Sequence, residues 1–219
     1  MALRNATANS RVKKISAENL SVAVAALRRG DVIVFPTETL YGLGADALDI
    51  SAVEKVFQLK GRDPNQPFPV LVSDRSMLES LVGQIVPLAE KLMARFWPGP
   101  LTLVLPARPD IPKPLVNSTG GVGVRISSQP IAREIIKMLG RPLTATSANP
   151  SGQPGAHAIA EARAYFSGKI KIFLDGGELA SRTGSTVVSV AGNKINIIRA
   201  GEIAQSELEM ALGKGVDVQ

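Results

Sequence analysis

The apolar residues of this chain come in short β-branched runs, each cut off by a turn former. DVIVFP at 31–36, PVLV at 69–72, LTLVLPA at 101–107 and VGVRI at 122–126 are the first four. LTATSA at 143–148, KIFLD at 171–175, TVVSV at 186–190 and KINIIRA at 194–200 follow. Such runs read as buried strands bounded by Gly, Pro, Asn and Asp. Between them the apolar spacing turns helical. Residues 17–29 place Leu20, Val24 and Leu27 on one face, with Ser16 as N-cap and Gly30 as the stop. Further helices are predicted over 51–59, 75–83, 86–96, 131–139 (IAREIIKML, ended by Gly140), 158–167 and 206–212. Strands and helices interleave without a strict βαβ repeat, and the late strands come in succession, as in a hairpin. The predicted class is α/β: a twisted mixed sheet with helices packed on it. The polar, aperiodic residues 1–15 read as a flexible tail, 16–201 as one domain, and 202–219 as a C-terminal helix and tail.

Several chemistries are excluded by what is missing. There is no cysteine, so thiolate catalysis, disulfides and cysteine metal sites are out. A single histidine, His157, argues against a histidine-rich zinc site and would have to carry any Ser–His triad alone. Gly121-Val122-Gly123 lacks the third glycine of a dinucleotide fingerprint, and Arg182-Thr183-Gly184-Ser185-Thr186 lacks the lysine of a P-loop. No apolar run reaches membrane-span length, and the start has no apolar signal core. The net charge of +6 favours anionic partners.

The polar residues gather where strands end, which is where ligands sit in open α/β sheets. PTETLYGLG at 36–44 leaves the strand DVIVF directly. Lys60-Gly61-Arg62 closes a helix and opens the proline-rich loop KGRDPNQP. It reads either as a helix C-cap or as two cations clamping a phosphate chain. Trp97, in FWPGPLT, reads as a core anchor at a rigid turn. Arg125 ends GVGVR and needs an anion, which a carboxylate of the protein or of a ligand would supply. TSANPSG at 146–152 carries three hydroxyls and an amide in a turn fixed by Pro150 and Gly152. Ser185 opens a strand and Arg199 ends one, while His157 alone reads as a local hydrogen-bonding residue.

Taken in order, PTETLYGLG, KGR, FWPGPLT, GVGVR, TSANPSG, STVV at 185–188 and IIRAG at 197–201 strongly resemble the YrdC-like family of threonylcarbamoyl-AMP synthases. The resemblance covers residues 16–201. It implies a sheet curled around a basic concave cavity and a reaction of L-threonine, bicarbonate and ATP. The products are threonylcarbamoyl-AMP and pyrophosphate, which makes the enzyme a nucleotidyltransferase. The product serves the threonylcarbamoyl modification of adenosine 37 in tRNAs that read codons beginning with A. By this resemblance Lys60 and Arg62 are catalytic residues on the triphosphate. Arg62, Gln66, Gly121, Asn149, His157 and Arg199 hold ATP, and Thr39, Arg125, Ser147 and Ser185 hold threonine, with Arg125 on its carboxylate. No protein metal site is implied; Mg²⁺ arrives with ATP. The implied partners are ATP, L-threonine, bicarbonate, tRNA and downstream transferase proteins, with no membrane and a cytoplasmic setting. There are departures. Leu71 stands where some longer relatives carry a histidine, and Ser127 replaces the family's usual proline. The chain ends near 219, so the resemblance is to the short, single-domain type. A rival reading keeps the fold and the basic cavity but makes the chain an RNA-binding module, which would require basic residues interleaved with exposed aromatics.

Overall fold

The structure is a computed structural model, described for residues 11–14, 16–181, 183–191, 194–213 and 217–218. Most of the predicted tail, residues 1–10 and 15, lies outside the described residues. Within it, Arg11–Lys14 forms a strand, β1, which the polar sequence RVKK did not signal. α1 (Ala17–Arg28) starts where predicted, with the Ser16 side chain accepting from Asn19 N at 3.2 Å.

β2 (Ile33–Phe35) and β3 (Gly42–Gly44) are antiparallel neighbours. The glycines of β3 are needed for a close approach. A Cβ on Gly44 would sit 2.8 Å from the Phe35 ring. α2 (Ile50–Lys60), the two-residue β4 (Val70–Leu71), α3 (Arg75–Glu79) and α4 (Pro87–Phe96) follow. β5 (Leu101–Pro106), β6 (Gly121–Arg125) and α5 (Pro130–Leu139) come next. β7 (Leu143–Thr144), β8 (Thr146–Ser147), α6 (Ile159–Phe166) and β9 (Ile172–Asp175) continue the chain. β10 (Thr186–Ala191) and β11 (Lys194–Arg199) form the antiparallel hairpin that the successive late strands predicted, and α7 (Gln205–Leu212) and β12 (Asp217–Val218) end it.

The class is mixed α/β as predicted, but the strands divide between two sheets. One runs β1-β9-β2-β3-β8 and the other β12-β11-β10-β5-β6-β4-β7. Two hydrophobic clusters flank them. Ile33, Phe35, Leu71 and Leu174 point into the cluster under α1 and α5, while their neighbours Val34, Val70 and Phe173 point into the larger one. Alternate residues of a strand face opposite sides, so both faces of these strands are dry. That is why the runs read as continuous rather than alternating.

The sheets meet at LTATSA. Leu143 and Thr144 pair with β4 of the second sheet, while Thr146 and Ser147 pair with β3 of the first. Ala145 at the switch donates to the Pro69 carbonyl at 2.9 Å, and Thr144 Oγ1 accepts from Ala45 N at 2.9 Å. This seam brings loops from both sheets onto one cavity. Trp97 packs against the larger cluster, in keeping with the core-anchor reading, and its indole N–H donates to the Leu101 carbonyl at 2.6 Å.

Candidate active site

The cavity at the seam is lined by Thr37, Thr39, Arg62, Arg125, Ser147, Ser185 and Arg199, among others. These come from the PTETL loop, the loop after α2, the end of β6, β8, the start of β10 and the end of β11. A second, more apolar hollow shares Arg62 and Arg199 with it and adds Gln66, Phe68, Val104, Gly121 and Gly123. The Gly121 position is tight, since a Cβ there would meet Val104 at 2.7 Å. The structure therefore brings together ten of the residues singled out above around two joined hollows, if Lys60 and Asn149 just behind the wall are included.

Lys60 is the last residue of α2, and Gly61 caps the helix in the left-handed region (φ 58°). The helix C-cap reading of Lys60-Gly61-Arg62 holds; past the cap Lys60 is buried and Arg62 lines the cavity. Lys60 is 3% exposed, and its ammonium donates to the carbonyls of Ser147 and Asn149, each at 2.7 Å. Burial, and secondarily the charge of Arg62, lower its pKa from 10.5 to about 7. Arg62 donates from Nε to the Gln66 carbonyl at 2.7 Å and stacks over Phe68, 5.4 Å from the ring centre. Burial lowers its pKa as well.

Arg125 is buried, and its guanidinium lies 3.5 Å from Glu38 Oε1 and 3.5 Å from Thr39 Oγ1. Burial lowers its pKa and the Glu38 charge opposes that shift. The open choice between a protein carboxylate and a ligand is thus settled on one side: a protein carboxylate is present, and the guanidinium still lines the cavity. Arg199 donates to the Ser185 carbonyl at 2.8 Å and to Ser185 Oγ at 3.0 Å. Burial first, then the charges of Arg125 and Arg62, lower its pKa. Ser185 Oγ also meets Thr102 Oγ1 at 2.9 Å.

Two predicted nucleotide residues are placed differently from the rest. Asn149 turns its amide back into its own loop, donating to the carbonyls of Pro150 and Gln153 at 2.8 and 2.6 Å. His157 lines neither hollow; its Nδ1 lies 2.8 Å from the Ser181 carbonyl, the local role that the residue alone suggested. Sequence reasoning missed Thr37, Glu38, Thr102 and Ser127. All but Ser127 lie inside quoted motifs, but nothing in those motifs says which side chain faces which.

Three arginines line the cavity beside hydroxyls, with Lys60 behind the wall and Glu38 the one acid paired with them among the described residues, a lining whose chemistry suits a small anion. Among the described residues, no group of three or more His, Asp or Glu is placed to hold a metal, and no helix is long and apolar enough to cross a membrane. Clefts of about 450 and 490 Å³ elsewhere hold none of the buried cations.

Comparison with known proteins agrees with this class. The family model Sua5/YciO/YrdC, described as telomere recombination, matches residues 25–201, and the chain belongs to that family. A threonylcarbamoyl-AMP synthase of Bacillus subtilis is 40% identical over 195 residues, which cover 89% of this chain and 56% of the relative. The threonylcarbamoyl-AMP synthase of Pyrococcus abyssi is 38% identical over 205 residues, covering 92% of this chain and 59% of the relative. The chain therefore spans less than two thirds of either relative. The crystal structure of Pyrococcus abyssi Sua5 complexed with L-threonine superposes with a TM-score of 0.88 at 36% identity, covering 94% of this chain and 61% of that one.

Proposed function

We propose that this chain is an L-threonylcarbamoyladenylate synthase, a nucleotidyltransferase that condenses L-threonine, bicarbonate and ATP and releases pyrophosphate. The observation that carries the reading is the meeting of Lys60, Arg62, Arg125 and Arg199 with Thr39, Ser147 and Ser185 at the seam of two sheets. The similarity to proteins named as such synthases supports it.

The chemistry asks for positioning more than for a nucleophile. The threonine amine adds to carbon dioxide derived from bicarbonate, giving a carbamate and losing a proton to solvent. A carbamate oxygen then attacks the α-phosphorus of ATP, and pyrophosphate leaves. The reactants are anions that repel each other, so fixed cations must hold both and stabilise the charge that develops. Arg125 suits the threonine carboxylate with a fork geometry, and Thr39, Ser147 and Ser185 supply hydroxyls to its polar groups. Arg62 faces the triphosphate, Lys60 adds its charge from behind the wall where the Ser147 and Asn149 carbonyls hold it, and Arg199 bridges the two hollows. The apolar hollow over Gly121 and Gly123 suits the nucleoside, with Gln66 at its edge. Asn149 and His157 would serve the nucleotide by shaping the loop at 146–153 and the 157–181 contact, or by turning outward when ATP binds. The donor set does not fit a protein-held Mg²⁺: the cavity walls are cations and hydroxyls. Mg²⁺ is therefore a companion of ATP, held by its phosphates. The product supplies the threonylcarbamoyl group for adenosine 37 of tRNA through downstream transferase proteins, in the cytoplasm.

The buried ammonium makes ATP binding pH-dependent. A lysine that titrates at about 7 is charged in the free protein below that pH and neutral above it. Above pH 7, nucleotide binding must first restore a proton. Mg·ATP affinity is therefore expected to fall with rising pH, by up to about tenfold per unit, until the higher pKa of the complex is reached. Lys60→Met should bind weakly and flatly across pH 6.5–8.5, as read by calorimetry.

The reading is tested by pyrophosphate release from the purified protein with Mg·ATP and bicarbonate. Release should require L-threonine. Release that is indifferent to threonine, or none at all, would remove the synthase reading and promote the RNA module. Among the described residues the exposed large apolar side chains are Val22, Leu48, Ile50, Ile198 and Met210, none of them aromatic, whereas the rival needs exposed aromatics.

A further inference from the structure

Arg125 is the cation at the heart of the cavity, and what holds it is a residue with no part in the cavity wall. Glu38 does not line the hollow, yet its Oε1 lies 3.5 Å from Arg125 Nη1. The two side chains are 15% and 5% exposed. That Oε1 is buried and accepts no hydrogen bond. The contact is thus an ion pair without a hydrogen bond, and the same Nη1 lies 3.5 Å from Thr39 Oγ1, which lines the cavity with Arg125.

The other carboxylate oxygen of Glu38 is fixed from across the structure. Ser127 is fully buried, and its Oγ accepts from Gln129 N at 3.1 Å. With its lone pair so used, the Ser127 hydroxyl donates its proton to Glu38 Oε2. The turn that leads into α5 therefore sets the Glu38 carboxylate, and the carboxylate sets the guanidinium. Among the described ion pairs, Glu38 is also the only acid set against Lys60, Arg62, Arg125 or Arg199.

We propose that Glu38, clamped by Ser127, is a positioning residue for amino-acid binding: it holds Arg125 from outside the cavity lining, so that the guanidinium is fixed to meet the threonine carboxylate. The inference rests on reading Arg125 as the partner of that carboxylate. A preorganised fork binds tightly because its orientation is fixed before the ligand arrives. A loose one must first be ordered. The effect is confined to the amino acid, since neither Glu38 nor Ser127 reaches the nucleotide hollow.

The test is calorimetric titration of the full chain with L-threonine and, separately, with Mg·ATP. Glu38→Ala should weaken threonine binding about tenfold, the loss of one charge-assisted contact, and leave Mg·ATP binding within about twofold. Ser127→Ala, which keeps the charge but frees the carboxylate, should weaken threonine binding about threefold. Glu38→Gln keeps the side-chain length and an amide oxygen that can accept from Ser127 but loses the charge set against Arg125, so it should recover only part of the affinity. If Glu38→Ala fails to fold, the serine and glutamine variants still decide the matter. Unchanged or tighter threonine binding in Ser127→Ala and Glu38→Ala would overturn the proposal, as would an equal loss of Mg·ATP binding, which marks general damage. Wild-type protein that binds threonine yet releases no pyrophosphate would sink the synthase reading while leaving the Glu38 result readable.

Discussion

Arg125→Ala is expected to weaken L-threonine binding by about 100-fold or more, the cost of deleting a buried fork that faces a carboxylate. Synthesis should fall with it, while Mg·ATP binding changes little. The same substitution should also destabilise the fold by about 3 kcal/mol, because it strands the Glu38 carboxylate in a buried site without its cation. The two losses separate in the double variant. Arg125→Ala with Glu38→Ala removes both buried charges, so the melting temperature should return most of the way to wild type while threonine binding stays lost. If the double variant melts as low as the single one, the Arg125–Glu38 pair is not what sets the cost. If the single variant keeps its threonine affinity, Arg125 does not hold the carboxylate.

Arg62→Ala is expected to weaken Mg·ATP binding by about 100-fold and to leave the melting temperature nearly unchanged. Its side chain is only half-buried and holds the loop at 62–68, not the core. The lost attraction is large because the cavity keeps its cations close together and partly dry: burial lowers the pKa of Arg62, and its charge is one of the causes that lower those of Lys60 and Arg199. Arg62→Lys keeps the charge but loses the fork and the stacking on Phe68, and should recover only part of the affinity. Threonine binding in the absence of nucleotide should be unaffected by either change. Unchanged ATP affinity in Arg62→Ala would place the triphosphate elsewhere.

Much of the fold was legible because it rests on local rules. Ser16 caps α1 and Gly140 ends α5, and the hairpin of β10 and β11 follows from two apolar runs in succession. What could not be read is the division into two sheets. LTATSA looks like one strand, and only the partners on either side of Ala145 split it. β1 was hidden for a related reason: its strand character comes from pairing with β9, not from the polar RVKK itself. In the site, Lys60, Arg62, Arg125, Ser147, Ser185 and Arg199 were legible as polar groups at element ends, and the family resemblance gave them roles. Glu38 and Ser127 were not, since the contact that unites them joins residues 89 apart in sequence. His157 admits both of its readings. The resemblance assigned it to the nucleotide, while its position against the Ser181 carbonyl agrees with the plainer reading of a local partner.

The proposed synthesis turns on one bond, that between the threonine nitrogen and the carbon of bicarbonate. The most direct measurement is mass spectrometry of the product made from ATP, L-threonine and ¹³C-bicarbonate. The account predicts a threonylcarbamoyl-adenylate that is heavier by one mass unit than the product made from unlabelled bicarbonate, with pyrophosphate formed in equal amount. An adenylate of threonine itself, which carries no label, or consumption of ATP without any threonine adduct, would contradict it.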